Sequence, residues 1–478
     1  MAKNRNLGAT AEFRIKREKK DKLKTWQKVI LGIISSVVVI VAVAAIVIVC
    51  MLAFYKNRNL DESINSGETA ADIGSLEWAT KVFGEEGSEV LSQHSNEESP
   101  YGKSDVDFVR KEDTYTFLVL GSDRAKWLTD VIMIATYDMK NQKMSIMQIP
   151  RDTYVMVNSN LYTDNEGNIT YDNFDGKGDY GCKINSVVWH GGNMAGKELN
   201  RITKLAKDAD NAELKKICKE SFLNISADEL KNYMSAKGKE KSSFEYNTKL
   251  EFGIKYLTAL LARAYATPID FYAQLNLDGF VNIVDAIGGV DVYIQQDMNY
   301  EDLYQDPPLK IHLKKGQQHL DGKKSEQFIR FRYGYAAADI ARIDAQKIFL
   351  TAFIKKVFSL EGVLNIKTLY DEVSKNLTTN LVFDDVATVA AKSFDLNFNE
   401  IVMLTMPGWP QYKDGVSYYS VDRNTMIEYV NTYLSKYSNE IPNDYFCAVE
   451  LGNGVNYTTP PMTAEDIETE QPDLGFMY

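Results

Sequence analysis

Cysteine and histidine are both scarce in this sequence, with four of each among 478 residues. Cys50 lies in an apolar run, and the other three, Cys182, Cys218 and Cys447, are far apart. This spacing excludes a disulfide framework, and a zinc site built from cysteine and histidine is not expected. The sequence also has no Walker loop, no GxSxG and no HExxH. P-loop, α/β-hydrolase and zincin chemistry therefore have no support.

Outside the N-terminus, acidic residues outnumber lysine and arginine. Residues 1–28 hold ten lysines and arginines against three acidic residues, which leaves the other 450 residues with a net charge of −19. A body this acidic repels the phosphates of a nucleic acid, so nucleic acid is not an expected partner.

A long hydrophobic run occurs once, from Val29 to Phe54, where 26 consecutive residues carry no charge. A helix of about 20 such residues crosses the hydrocarbon core of a bilayer. The basic cluster just before the run favours a cytoplasmic N-terminus. We therefore predict a cytoplasmic arm at 1–28, a single transmembrane helix at 29–54 and an extracytoplasmic remainder. Its few cysteines favour a bacterial surface over a disulfide-rich secretory pathway.

The predicted extracytoplasmic part divides by composition. Residues 55–113 are polar and acidic, which is typical of a stalk. Residues 114–436 alternate strand and helix patterns and predict an α/β domain, a mixed β-sheet sandwiched by α-helices. A Lys/Glu-rich stretch at about 196–245 indicates an inserted pair of surface helices. Residues 437–478 are interpreted as an acidic, poorly ordered tail.

Several elements of this domain can be predicted from local patterns. Apolar runs at 131–138 and 143–150 flank a short turn, which favours an antiparallel hairpin. The stretch VDVYI at 290–294 predicts a further strand. Helical patterns at 250–268 and 338–359 predict two long helices.

Charged and polar residues cluster at the predicted strand ends, turns and helix starts, where functional groups are usually displayed. The candidates are Asp123, Arg124, Asp130, Arg151, Asp152, Arg330, Arg332, Arg342 and Gln346. Guanidinium groups bind phosphate oxygens in pairs, so several around one pocket suit a pyrophosphate. Neighbouring carboxylates suit Mg²⁺. Surface salt bridges between the same residues also explain the pattern, so both interpretations stay open.

A resemblance rests on seven blocks in order: FLVLGSDR, LTDVIMIATYD, SIMQIPRDTYV, KINSVVWHGG, FYAQLNLDGFVNIVDAIGGVDV, LKKGQQHLDGKKSEQFIRFRYG and DIARIDAQK. On these blocks the chain resembles the LytR-CpsA-Psr family over residues 115–355, the predicted core. The weaker region to about 435 looks like the family's C-terminal helices. Members are anchored on the outer face of Gram-positive cell membranes, in agreement with the predicted anchor and stalk.

The resemblance implies a function that residue spacing does not give. Family members are phosphotransferases that move an anionic glycopolymer, of the teichoic acid or capsular polysaccharide type, from an undecaprenyl-pyrophosphate carrier to peptidoglycan. The implied acceptor is the 6-hydroxyl of N-acetylmuramic acid, and the implied cofactor is Mg²⁺ or Mn²⁺. The lipid tail is implied to occupy a hydrophobic groove between the sheet and the helices.

The resemblance also assigns roles to individual residues. Asp123 and Asp130 match the metal-side aspartates. The positions that match pyrophosphate-binding or neighbouring family residues are Arg151, Arg330, Arg332, Arg342, Gln346 and Asp339. Arg124 could reach the same oxygens, and Asp130 or Asp152 could accept the proton of the acceptor hydroxyl.

Two positions depart from the family pattern. Leu128 stands two residues before Asp130, where arginine is usual, and Ala345 precedes Gln346, where R-x-x-R-Q is frequent. Each missing charge-assisted contact could cost ~1.5–3 kcal/mol, so the expected activity is weaker or tuned to another donor. Two alternatives remain open: a polyprenyl-pyrophosphate pyrophosphatase, and a non-catalytic regulatory protein that binds lipid pyrophosphate.

Overall fold

The structure is a computed structural model that describes residues 108–157, 180–221, 223, 225–304, 308–331, 339–357, 377–381, 396–456 and 458–470. The predicted arm, the predicted transmembrane helix and nearly all of the predicted stalk lie outside these ranges. Among the helices that are described, none combines the length and the apolar content of a membrane span.

A mixed sheet forms the centre of the described domain. Its seven strands, in spatial order, are β11 (Leu377–Thr379), β6 (Phe271–Asn276), β1 (Thr114–Ser122), β2 (Thr129–Asp138), β3 (Lys143–Ile149), β12 (Val402–Thr405) and β15 (Met462–Thr463). Strands β1, β2 and β3 run antiparallel in turn, which confirms the predicted hairpin. Strand β6 is parallel to β1, and β12 is parallel to β3. Every residue of β1 is buried, as expected of a strand covered on both faces.

Four two-stranded sheets surround this centre: β4 (Tyr154–Val157) with β5 (Tyr180–Lys183), β7 (Val290–Ile294) with β10 (Gly316–Leu320), β8 (Met298–Asp302) with β9 (Leu309–Leu313), and β13 (Gly408–Lys413) with β14 (Val416–Val421). The described α-helices are α1 (Val187–Leu205), α2 (Asn211–Lys219), α3 (Ala227–Ser235), α4 (Gly238–Tyr265), α5 (Leu277–Ala286), α6 (Gly322–Arg330), α7 (Asp339–Val357), α8 (Arg423–Tyr429) and α9 (Ala464–Glu470).

The two faces of the sheet carry separate apolar layers, because successive side chains of a strand point to opposite faces. Phe117 and Val119 of β1 pack in the first layer, which includes residues of α5, α6 and α7. Leu118 and Leu120 pack in the second layer, with residues of α1, α4 and α8. The predicted fold class, a mixed sheet sandwiched by helices, is confirmed.

The predicted helical insertion is larger than expected. Instead of two surface helices within 196–245, the chain forms the end of α1, then α2 and α3, and the start of α4. Their apolar residues build a third small core, which includes Leu199, Leu214 and Leu230. The prediction of a helix at 250–268 therefore captured only the second half of α4, because the polar first half resembles a surface segment.

The prediction of a poorly ordered C-terminal tail is wrong for the described residues. Strand β15 pairs with β12 at the edge of the central sheet. Helix α9 then buries Ala464 and Ile467 in the first layer. Tyr437, Ile441 and Phe446 of the same stretch pack in the second layer. These apolar residues are dispersed among polar and acidic ones, so the composition of the tail does not reveal them.

Candidate active site at the end of the central strands

Asp130 reaches the site through a bulge in the β1–β2 ladder. Gly121 pairs with Val131 and Ser122 pairs with Thr129, so Asp130 is the additional residue on β2. Bulges redirect side chains and are frequent next to active sites. The side chain points into the protein, and the residue is only 2% exposed.

The two carboxylate oxygens of Asp130 have different surroundings. Oδ1 accepts hydrogen bonds from Arg151 Nη1 and from Asn185 Nδ2, each at 3.2 Å. Oδ2 is buried and has no hydrogen-bond partner among the described residues. An unsatisfied buried oxygen is costly, and it commonly marks a place where a ligand, an ion or a proton belongs.

The turn after β3 holds Arg151 and Asn185 against this carboxylate. Pro150 follows the strand, and the N–H of Thr153 donates to its carbonyl oxygen at 3.0 Å. The N–H of Asn185 donates to the carbonyl oxygen of Arg151 at 3.2 Å. Asn185 was not among the predicted site residues, although the block KINSVVWHGG contains it.

Burial raises the pKa of Asp130 to about 6, because lost hydration outweighs the positive charges of Arg151 and Arg342 and the hydrogen bond from Asn185. A carboxyl group with this pKa is mostly ionised at neutral pH. It is also basic enough to accept a proton from a reacting hydroxyl group.

Two further guanidinium groups come from helices of the first layer. Arg330 ends α6 and is 3% exposed, and its Nη1 donates to Glu326 Oε1 at 2.5 Å. Arg342 lies in the first turn of α7 and is 2% exposed. Both act electrostatically on Asp130. Three buried guanidinium groups from separate segments thus converge on one carboxylate.

A buried chain of amide groups fixes the helix that carries Arg342. Gln346, one turn further along α7, donates through Nε2 to the carbonyl oxygen of Ile329 at 3.3 Å. Its Oε1 accepts a hydrogen bond from Gln148 of β3. Gln346 therefore ties α7 to both the end of α6 and the sheet. Gln148, which sequence reasoning missed, takes part in the same network.

Arg124 lies at the edge of the buried group. Its Nε bonds to Asp278 Oδ1 at 2.8 Å, and its Nη2 lies 3.8 Å from Glu326 Oε1, the oxygen that also pairs with Arg330. The surface salt-bridge interpretation fits the pair with Asp278, whereas Glu326 links Arg124 to Arg330. That interpretation does not fit Arg151, Arg330 and Arg342, which are buried.

Asp123 organises its own turn. Its Oδ1 accepts from the N–H of Trp127 at 2.9 Å and of Leu128 at 3.3 Å. Burial raises its pKa above the ordinary value, and these backbone bonds oppose the rise. Asp123 follows β1 directly, and Asp130 lies in the bulge of the adjacent strand.

The donor set fits Mg²⁺ better than a metal held by protein alone. The described ranges contain no group of three or more His, Cys, Asp or Glu residues that could hold a metal ion. Mg²⁺ is usually bound by one or two carboxylates together with substrate phosphates and water. Asp130 Oδ2 is buried and has no hydrogen-bond partner among the described residues. It is an oxygen that such an ion would bind.

Asp152 lies beside the buried group rather than within it. Its Oδ1 is 2.9 Å from Lys183 Nζ and 3.9 Å from Arg151 Nε. Its carbonyl oxygen accepts from the N–H of Tyr419 at 2.9 Å. Lys183 thus competes for the carboxylate that would act as the alternative proton acceptor.

Four further positions named in the sequence analysis add no charged group to the site among the described residues. Arg332 and the side chain of Asp339 lie outside the described residues. Leu128 is half-buried after the Asp123 turn. Ala345 is fully buried in the first apolar layer, so it adds packing and no charge.

Comparison with known proteins gives one family. The model of the LytR_cpsA_psr family matches residues 82–434. The chain is 30% identical over 190 residues to the polyisoprenyl-teichoic acid–peptidoglycan teichoic acid transferase TagU of Bacillus cereus, covering 40% of this chain and 60% of that protein. It is 25% identical over 354 residues to TagU of Bacillus anthracis, covering 73% of this chain and 88% of that protein.

Solved structures with a similar course of the chain include Bacillus subtilis TagV, at 21% identity and a TM-score of 0.42, covering 66% of this chain and 94% of that one. A structure of TagT bound to LIIa-WTA has 18% identity and a TM-score of 0.42, covering 70% of this chain and 92% of that one.

Proposed function

Because the chain belongs to the LytR-CpsA-Psr family, we propose that it is an extracytoplasmic phosphotransferase anchored by one transmembrane helix. It moves an anionic glycopolymer from an undecaprenyl-pyrophosphate carrier to peptidoglycan. Relatives named as teichoic acid transferases support this class of reaction. The observation that carries the proposal is the convergence of buried Arg151, Arg330 and Arg342 on Asp130.

The arginines bind and orient the pyrophosphate. Each guanidinium group contacts two phosphate oxygens. The surrounding protein excludes the water that would otherwise screen these contacts. In the transfer step, the oxygen of an acceptor hydroxyl forms a bond to the phosphorus that carries the polymer. The bond between that phosphorus and the bridging oxygen breaks, and its electron pair leaves with the lipid monophosphate. The guanidinium groups stabilise the charge that develops on the bridge.

Asp130 is the better placed proton acceptor of the two candidate carboxylates. Its pKa of about 6 matches a general base at neutral pH, whereas Asp152 is held by Lys183 at 2.9 Å. Asp123 and Asp130 are also the residues that would hold Mg²⁺, which would supply charge neutralisation at the phosphate oxygens. With the ion on Asp130 Oδ2, and with Oδ1 bonded to Arg151 and Asn185, Asp152 would accept the proton instead. Asn185 fixes the orientation of the Asp130 carboxylate through its bond to Oδ1.

Release of polyprenyl monophosphate tests the proposal. The full chain in detergent is given a lipid-pyrophosphate-linked polymer and Mg²⁺, with and without peptidoglycan. Release that requires peptidoglycan is the expected result, and Arg151→Ala should reduce it at least ~10-fold, since a charge-assisted contact is lost. The matched control is Arg201→Ala, because Arg201 is a half-exposed arginine that pairs with the buried Glu198 on α1. Release that is equal without peptidoglycan would contradict a transferase.

A further inference from the structure

A second group of charged and aromatic side chains lies next to the candidate active site. The group consists of Tyr154, Lys183, Lys413 and Tyr418, and is called here the tyrosine–lysine cluster. The rings of Tyr154 and Tyr418 are 5.1 Å apart in an edge-to-face arrangement. Lys413 Nζ lies 4.5 Å from the centre of the Tyr154 ring, and Lys183 Nζ lies 5.9 Å from that of Tyr418.

The cluster is joined to the candidate active site by a short series of contacts. Lys183 Nζ lies 2.9 Å from Asp152 Oδ1, and Asp152 Oδ1 lies 3.9 Å from Arg151 Nε. Arg151 bonds in turn to Asp130. A ligand held at the cluster would therefore extend towards the reacting phosphate.

The cluster approaches the site from the opposite side to the helices that carry Arg330 and Arg342. Helix α6 and most buried apolar residues of α7 pack in the first apolar layer, and only Ile343 of α7 packs in the second among the described residues. Strands β4 and β14 contribute Val155, Tyr419 and Val421 to the second layer. A carrier bound from the first side would leave the second side open to the acceptor. A displacement at phosphorus needs this arrangement, because the attacking and leaving oxygens lie roughly in line.

Lys413 makes this surface suited to an anionic ligand. It is exposed near the tip of the β13–β14 hairpin, and its Nζ donates to the Tyr154 hydroxyl oxygen at 2.8 Å. Within the part of the chain that the structure describes, no carboxylate lies within salt-bridge distance of this ammonium group. Tyr418 is half-exposed beside it. An ammonium group next to an accessible aromatic ring suits a sugar that carries a carboxylate.

We propose that the tyrosine–lysine cluster binds the acceptor, a carboxylate-bearing segment of the peptidoglycan glycan with its peptide. Tyr418 contacts the sugar and Lys413 pairs with a carboxylate, which orients the acceptor hydroxyl towards Arg151 and Asp130. This inference rests on the proposed function and adds the location of the acceptor.

The hairpin offers a matched control. Cross-strand pairs place Lys413 beside Val416 and Gln411 beside Tyr418, so both cluster residues lie on one face. Tyr412 lies on the other face and is 74% exposed. Tyr412→Ala therefore removes an exposed ring from the same hairpin without touching the cluster.

The experiment measures binding of a disaccharide–peptide fragment of peptidoglycan to the full chain in detergent. Tyr418→Ala and Lys413→Met should each raise Kd by about 5-fold, the magnitude of one exposed aromatic or ionic contact. Tyr412→Ala should leave Kd unchanged. Amidation of the fragment's carboxylates should remove the effect of Lys413→Met but not that of Tyr418→Ala.

The outcomes separate the possible ligands. Equal affinities for the wild type and both cluster variants, or an equal loss in Tyr412→Ala, would overturn the proposal. The proposal would also be overturned if the two cluster variants weakened binding of a free poly(glycerol phosphate) chain but not of the fragment. The cluster would then bind the donor polymer. Fragment binding without any release of polyprenyl monophosphate by the wild type would refute the proposed function and leave the binding site standing.

Discussion

Replacing Asp130 by asparagine should stabilise the protein while abolishing transfer. Its pKa of about 6, compared with 3.8 for an ordinary aspartate, means that the folded protein resists ionising this group. A shift of about two units corresponds to ~3 kcal/mol. Asp130→Asn keeps the size of the side chain and the oxygen that faces Arg151 and Asn185. We expect the free energy of unfolding at pH 7.5 to rise by up to ~3 kcal/mol.

The pH dependence gives the sign of this effect. Between pH 3.8 and about 6, the folded wild type binds more protons than the unfolded chain. Its stability therefore falls as the pH rises through this window, and the full loss is present above it. The Asp130→Asn variant lacks this loss. The difference between the two proteins should be near zero below pH 3.8 and constant above about 6.

Denaturant unfolding of both full chains in the same detergent, with EDTA, measures the difference at several pH values. Asp228→Asn is the control, because Asp228 is exposed on α3. A loss of stability in Asp130→Asn at pH 7.5, or a gain that does not change with pH, would contradict this prediction. Either result would mean that ionisation of Asp130 does not cost the folded protein the expected free energy.

Two further predictions concern the site, and one concerns the membrane orientation. Arg330→Lys should retain less than about a tenth of wild-type transfer, because lysine lacks the bidentate fork; equal rates in a transfer assay would exclude that role. Gln148→Leu should lose ~1–3 kcal/mol of stability in denaturant unfolding, since Gln346 loses a buried partner, and unchanged unfolding would contradict the network. Protease added to intact cells should digest residues 55–478 and spare residues 1–28. If residues 55–478 are digested only after the cells are lysed, the proposed orientation is wrong.

Local patterns were sufficient for several strands, both inside and outside the central sheet. VDVYI alternates buried and exposed residues, and β7 occupies the predicted residues Val290–Ile294. The hairpin of β2 and β3 was equally visible, since two apolar runs flank one short turn. In contrast, β8 and β9 were missed. The sequence of β8, MNYED, is mostly polar, so nothing in it separates this strand from a loop. The sequence of β9, LKIHL, alternates apolar and polar residues as VDVYI does, and it was predictable from the same pattern.

The candidate site was predictable in its charges but not in its supporting contacts. Arg151, Arg330 and Arg342 could be selected because guanidinium groups at element ends are conspicuous. Asn185 and Gln148 could not, because their roles depend on neighbours that the fold brings from 55 and 198 residues away. The bulge at Asp130 was also invisible, since it is a property of strand register.

The fate of water oxygen distinguishes a transferase from a pyrophosphatase. The full chain is incubated in H₂¹⁸O with the lipid-linked polymer, Mg²⁺ and peptidoglycan, and the products are examined by mass spectrometry after muramidase digestion. We expect a polymer joined to the glycan sugar by a phosphodiester that contains no ¹⁸O, because the sugar hydroxyl is the nucleophile. A free polymer phosphate that carries one ¹⁸O atom would show that water attacks instead, and would contradict the account in favour of a pyrophosphatase.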